Sequence, residues 1–315
     1  MRVLVTGAAG FVGRHLVRVW KEQVPEAEMW GRLRGTEKAD DLLPNCVYLD
    51  LRDAKAVREA CQKVSPDWVV HLAAQGFVPD AVSNPRETWE INWWGTWHLL
   101  EALQEGGFTG RFLFVGSGDQ YGKAEESDLP IRETQPLRPR NPYTASKAAA
   151  ELLCYQYSQS YGLDVILARP FNHIGPGQPP RFVVADFARQ VARIELGLQE
   201  PPLRVGNLAV TRDFLDVRDV VDAYRCLLER GRKGEAYNIC SGVEVRLADL
   251  VKALIGLSSQ PIEVRVDASR LRPTDTPRLR GSHAKLTQHT GWQPKRDILV
   301  TLKEVFTYWK EELRR

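Results

Sequence analysis

Apolar residues in the first half of the chain fall into short β-branched runs separated by longer amphipathic stretches. Residues 2–6 (RVLVT) read as a strand and 11–23 as the helix that follows it. Residues 27–31 and 46–50 predict two further strands, and 53–63 a helix with Asp53 at its N-cap. Next come strand 67–71 (DWVVH), a long helix over 85–104, strand 111–115 (RFLFV), helix 144–161 and strand 163–168. Strands alternating with helices predict βαβ units with right-handed crossovers. Their continuous apolar character predicts a parallel sheet covered on both faces.

The pattern changes after Arg169. Residues 171–180 (FNHIGPGQPP) hold too much Gly and Pro for a regular element and read as a loop. Helices are expected over 182–196, 217–230, 247–255 and 298–312, among isolated short strands. The expected fold class is therefore α/β, a doubly wound parallel sheet of the Rossmann type with a smaller α/β substrate-binding lobe. Residues 1–170, with about 212–240 returning, would form the first lobe, and about 171–211 with 241–315 the second.

Composition narrows the function classes. The chain has 315 residues, 43% of them hydrophobic, and a net charge of +3. That supports a sizeable core and gives no case for disorder or a broad nucleic-acid surface. No apolar run reaches the ~18 residues of a membrane span, and Met1 leads straight into a strand, so neither a membrane partner nor a signal peptide is expected. The five cysteines are widely spaced without a C-x-x-C, which argues against a metal site or a disulfide framework. The expected setting is the reducing cytoplasm.

Between the first strand and the first helix stands Gly7-Ala8-Ala9-Gly10-Phe11-Val12-Gly13. Gly7 would allow the tight turn, Gly10 the approach of a pyrophosphate, and Gly13 close helix–strand packing. The helix start then offers free N–H donors to the anion. Near the end of the second strand, where an acidic residue would hold the ribose of NAD, the chain has Gly31, Arg32 and Arg34. Glu28 lies too early and Glu37 too late for that task. Either the arginines pair with a 2′-phosphate or they face water. The first reading selects NADP, with NADPH preferred and NAD possible. Asp50 and Leu51 after the third strand could touch adenine; for Asp53 a helix cap is an equal explanation.

Tyr143 and Lys147 share one helical face. Nine Tyr and twelve Lys supply about a third of one such pair by chance, so the spacing alone is weak. The chemistry is stronger. An ammonium beside a phenol should lower the phenol below its ordinary value of about 10. Such a tyrosine can protonate the oxygen of a carbonyl reduced by hydride. Ser117, just past the strand at 111–115, would face the same crevice.

These features, in this order, resemble the extended short-chain dehydrogenase/reductase family over almost the whole chain. The resemblance extends to His71-Leu72-Ala73-Ala74-Gln75, to Asn92 with Gly95-Thr96, to Tyr121-Gly122 four residues after Ser117, and to Arg169-Pro170-Phe171-Asn172. It implies Ser117, Tyr143 and Lys147 as the catalytic set, with Lys147 also on the nicotinamide ribose. It also implies cofactor contacts from Gly7, Gly10, Phe11, Val12, Gly13, Leu72, Ala73, Ala74, Gln75, Asn92 and Arg169. Residues 169–178 (RPFNHIGPGQ), Phe182-Val183-Val184 and Thr211-Arg212-Asp213-Phe214 are similar to GDP-4-dehydro-6-deoxy-D-mannose reductases, which make GDP-D-rhamnose. Substrate contacts are then implied for Ser117, Asp119, Asn172, Gln178, Arg181, Val183, Arg212 and Arg272, the two last bracketing the diphosphate of a GDP-sugar. His173 is left between a substrate role and bracing the turn.

One departure stands out. Ser117 is followed by Gly118 and Asp119, where related 4,6-dehydratases carry a polar residue and a glutamate. A reductase is favoured, with a GDP-mannose 4,6-dehydratase, a nucleotide-sugar 4-epimerase and a non-catalytic NADP-binding regulator as alternatives. Trp89, Trp93, Trp94 and Trp97 crowd one helix. With the family resemblance, they suggest a homodimer through helices 85–104 and 144–161.

Overall fold

Strand alternation decides which face each side chain takes. In β1 (Arg2–Thr6), Val3 and Val5 pack on one face and Leu4 on the other. In the strand Arg111–Val115, Leu113 and Val115 share the first face while Phe112 and Phe114 take the second. Burying each of those phenylalanines contributes about 1.5–3 kcal/mol. The computed structural model describes residues 1–35, 37, 39, 41–271 and 277–315, and among these twelve strands are formed.

Numbered in chain order, they are β1, β2 (Glu28–Leu33), β3 (Asn45–Tyr48), β4 (Trp68–His71), β5 (Arg111–Val115), β6 (Asp164–Pro170), β7 (Asn172–Ile174), β8 (Leu203–Val205), β9 (Thr211–Asp216), β10 (Ala236–Ile239), β11 (Glu244–Arg246) and β12 (Val264–Val266). Seven of them form one parallel sheet in the order β10-β6-β5-β4-β1-β2-β3. The chain runs outward through β2 and β3, then crosses back to β4. That reversal opens a crevice at the carboxyl ends of β1 and β4.

Helices Phe11–Gln23 and Val217–Arg230 cover one face of this sheet. Trp20 is fully buried there and donates to the Val221 carbonyl at 2.9 Å. Helices Ala54–Val64, Gly95–Glu105 and Pro142–Ser160 cover the other face. A separate core joins helices Val183–Glu195, Leu247–Ile255 and Ile298–Glu312 around Phe187 and Phe306.

Three elements differ from the sequence reading. The long helix over 85–104 is broken by a π turn at Glu90–Trp94, which makes room for the inward-facing Asn92. The segment 171–180 is not all loop, because β7 pairs with β9. β9 in turn pairs with β11. Helix Pro142–Ser160 starts two residues early. Asn141 accepts from Thr144 N at 2.9 Å, and Pro142 supplies a preset φ for the first helical residue. Tyr143 therefore sits in the first helical turn.

Candidate active site

The turn after β1 is shaped by its glycines. Gly7 has φ +73°, a conformation open to glycine, and Gly10 N donates to the Gly7 carbonyl at 3.0 Å. A Cβ on Gly13 would strike the Ala8 backbone at 2.7 Å. Gly10 ends the turn without a side-chain cap, leaving the first amides of helix Phe11–Gln23 for a ligand. This cradle fits a dinucleotide's pyrophosphate.

Behind it, β1 and β4 are tied at their ends. Thr6 Oγ1 meets His71 Nδ1 at 2.7 Å and accepts from Ala73 N at 3.1 Å, while His71 Nε2 meets Thr96 Oγ1 at 2.9 Å. Burial holds His71 neutral, at about 3. Asn92 accepts from Gln75 N at 2.7 Å and donates to Ser146 Oγ at 2.9 Å. Its side chain thus braces the segment that ends at Gln75.

At the far end of the crevice, the Ser117 hydroxyl lies beside the Tyr143 phenol and accepts from Asp119 N at 3.2 Å. Burial, then the Asp119 carboxylate, push the phenol up to about 12, against the lowering effect of Ser117. This corrects the expectation of a lowered phenol. Lys147 does not dominate here: its ammonium is itself buried, which brings it down to about 8, and lies 4.9 Å from the Phe114 ring centre. A high-pKa phenol stays protonated at neutral pH. Such a group can hand a proton to a developing alkoxide and has little tendency to act as a base unaided.

Other expected contacts are redistributed. Arg169 does not reach the crevice; its guanidinium is buried against Glu151, at 2.5 Å, and the Tyr121 hydroxyl, at 2.6 Å. Leu51 lies in the core beneath Gly95. Asp50 pairs with Arg52 at 2.6 Å, which holds it below the usual carboxylate range, and Asp53 caps the next helix. Arg32 is buried, and its Nε meets no hydrogen-bond partner among the described residues. Arg34 is exposed and pairs with Glu37 at 3.2 Å, so Glu37 does reach the end of β2.

On the substrate side, Asn172 buries Oδ1, which meets no hydrogen-bond partner among the described residues. His173 is held to the Phe171 carbonyl at 2.9 Å and stacks 6.3 Å from Phe11. Gln178 donates to the His173 carbonyl at 3.0 Å, keeping the same turn closed. Arg181 spans the two lobes, 3.5 Å from Asp80 and 5.1 Å from the Phe77 ring centre. Val183 is half-exposed at a helix start, and Arg212 donates to the Thr211 carbonyl at 2.7 Å. Arg272 lies outside the described residues.

Sequence reasoning missed Gln120 and Glu151. Gln120 is fully buried and accepts from Ser117 N at 2.7 Å. Glu151, four residues past Lys147 on the same face, was open to detection by its spacing. Asp213 was also missed as the holder of the 240–242 turn, where it accepts from Ser241 N and Gly242 N at 2.7 and 3.0 Å.

The family model described as GDP-mannose 4,6 dehydratase matches residues 4–305. A GDP-6-deoxy-D-mannose reductase of Pseudomonas aeruginosa is 42% identical over 313 residues, spanning 99% of this chain and 98% of that protein. Among solved structures, RMD from Pseudomonas aeruginosa complexed with NADPH superposes with a TM-score of 0.87 at 41% identity, over 99% of both chains. UDP-glucose 4-epimerase of Thermus thermophilus in complex with NAD gives 0.87 at 32% identity, over 98% of this chain and 99% of that one. With its phosphate cradle, its Ser–Tyr–Lys crevice and a match along nearly its whole length, the chain belongs to the GDP-mannose 4,6-dehydratase family of extended short-chain dehydrogenases/reductases.

Proposed function

We propose that the protein reduces the C4 ketone of GDP-4-dehydro-6-deoxy-D-mannose to GDP-D-rhamnose with NADPH. The observation that carries this reading is the turn after β5. Ser117 lies beside the Tyr143 phenol, and the next residue, Gly118, has no room for a side chain, since a Cβ there would lie 2.8 Å from the Phe171 ring. A 4,6-dehydratase must also remove a proton from C5 and expel the C6 hydroxyl, which calls for an acid and a base beside the tyrosine. Here only the exposed Asp119 is available in that turn.

Bound NADPH supplies the hydride. Ser117 Oγ orients the substrate carbonyl oxygen, and Tyr143 delivers its proton to that oxygen. The Lys147 ammonium anchors the nicotinamide ribose and offsets charge left on the phenol. The turn that begins at Gly7 receives the pyrophosphate, and Arg32 and Arg34 favour the 2′-phosphate. Asn172 and Arg212, with Arg272, take the GDP-sugar.

The relative's reductase activity supports the reading, as does the NADPH in its solved counterpart. No helix among the described residues is long and apolar enough to cross a membrane, and no disulfide joins the five cysteines among those residues. Trp94, Leu152 and Tyr155 are exposed at 44%, 64% and 46% on the helices proposed to pair two copies, and sedimentation measures that association.

The decisive experiment supplies the 4-keto sugar and GDP-mannose separately and follows NADPH and product by NMR. Stoichiometric NADPH oxidation with the ketone is expected. Conversion of GDP-mannose to a 4-keto sugar would assign a dehydratase, and interconversion without net NADPH use an epimerase.

A further inference from the structure

Ser117 is held from behind by side chains that the proposed reaction does not use. Gln120 accepts from the Ser117 N–H at 2.7 Å and donates from Nε2 to Glu151 Oε2 at 3.0 Å. Glu151 takes Arg169 on both oxygens, with Nε at 3.1 Å and Nη2 at 2.5 Å. Arg169 Nη1 donates to the Tyr121 hydroxyl, which donates to Asn238 Oδ1 at 2.8 Å in β10. Gly116 makes space for this arrangement, since a Cβ there would run into Gln120 Oε1 and lie 3.2 Å from Glu151 Oε2. Gln120, Glu151 and Arg169 are all buried. A buried ion pair is often no more stabilising than apolar packing of the same volume, so stability alone does not explain it.

We propose that Gln120, backed by Glu151 and Arg169, is a positioning residue that sets Ser117 against Tyr143. The inference rests on the reductase reading. It follows from geometry. The Gln120 bond fixes the peptide on which the Ser117 hydroxyl rides, and a shift of about 1 Å in a reacting group can cost 100-fold in rate.

Gln120→Met in the full chain tests this, since it keeps the length and loses both hydrogen bonds. It should lower kcat for the ketone by about 10–100-fold while KM and NADPH affinity stay within twofold. If Gln120→Met does not fold, the double variant Glu151→Gln/Arg169→Met, which withdraws the backing of Gln120, should show the same split. A folded variant with the parent's kcat would overturn the proposal, as would a loss that lies wholly in KM or in NADPH affinity. A parent that fails to reduce the ketone defeats the reductase reading, whereas a parent and variant that reduce it equally fast defeat only the positioning role.

Discussion

Replacing Gly13 by alanine tests whether the first turn is shaped for phosphate. A Cβ there would lie 2.7 Å from both Cα and the carbonyl oxygen of Ala8, with the Gly7 oxygen nearer still. All are backbone atoms, and contact becomes ordinary only from 3.4 Å, so the turn must retreat by about 0.7 Å or more. It has little freedom to do so, because a Cβ direction on Gly7 already points at Ala73 N, 3.0 Å away. Overpacking of this kind costs about 1–3 kcal/mol in stability. Losing one charge-assisted bond to a phosphate costs about 1.5–3 kcal/mol more in binding, roughly 10–150-fold in Kd. Tryptophan fluorescence titration with NADPH, beside a thermal melt, measures both. Gly256→Ala, whose Cβ meets only ordinary contacts from 3.4 Å, is the control. NADPH binding by Gly13→Ala within twofold of the parent, at an unchanged Tm, would refute the reasoning.

Tyr143→Phe should keep NADPH affinity and cut single-turnover reduction by about 10²–10⁴; near-normal hydride transfer would remove the tyrosine from its role. Glu37→Ala frees Arg34 from its 3.2 Å partner and should widen the preference for NADPH over NADH, while Arg34→Ala narrows it; equal cofactor ratios across the three proteins would exclude Arg34 from the 2′-phosphate. His71 is kept neutral when folded, at about 3 against 6.5, so the unfolded chain binds a proton that the folded one refuses. The stability it contributes is full above 6.5 and lost as pH falls from there toward 3. Urea midpoints from about pH 7 to pH 4 should therefore decline less steeply in His71→Asn, and parallel slopes would exclude His71 as the source.

Much of the main sheet was legible because alternation is a local signal. Arg2–Thr6, Phe11–Gln23, Arg111–Val115, Val217–Arg230 and Ile298–Glu312 fall where their own residues place them. Gly7 and Ser117 each lie just past the end of a strand of that sheet, and Tyr143 in the first turn of the helix that leads into β6. What escaped depends on partners far along the chain. Arg169 looked like a ligand because it follows a strand into a substrate-like motif, but its guanidinium is claimed by Glu151 and Tyr121. Gln120 sits among glycines and reads as a turn residue until Glu151 is brought beneath it. The three residues of β7 pair only through β9, some forty positions later, and lie in a Gly/Pro-rich stretch that argues against a strand. The phenol's direction was missed for another reason: spacing along a helix says that Lys147 is near, and says nothing of how far burial penalises both groups.

A chain leaving the ribosome reaches Pro170 with six of the seven main strands made, but with β6 still an open edge and the first helix uncovered. Trp20 waits for a carbonyl 201 residues downstream, at Val221, and β6 waits for Ala236–Ile239. At about 5–20 residues per second, that interval lasts roughly 4–14 s. Throughout it the nascent protein presents an unpaired strand beside an apolar helix face, the pairing template that folded proteins keep hidden. Translation speed across residues 171–239 should accordingly govern soluble yield more than speed across 240–315. Synonymous recoding of the two stretches separates them.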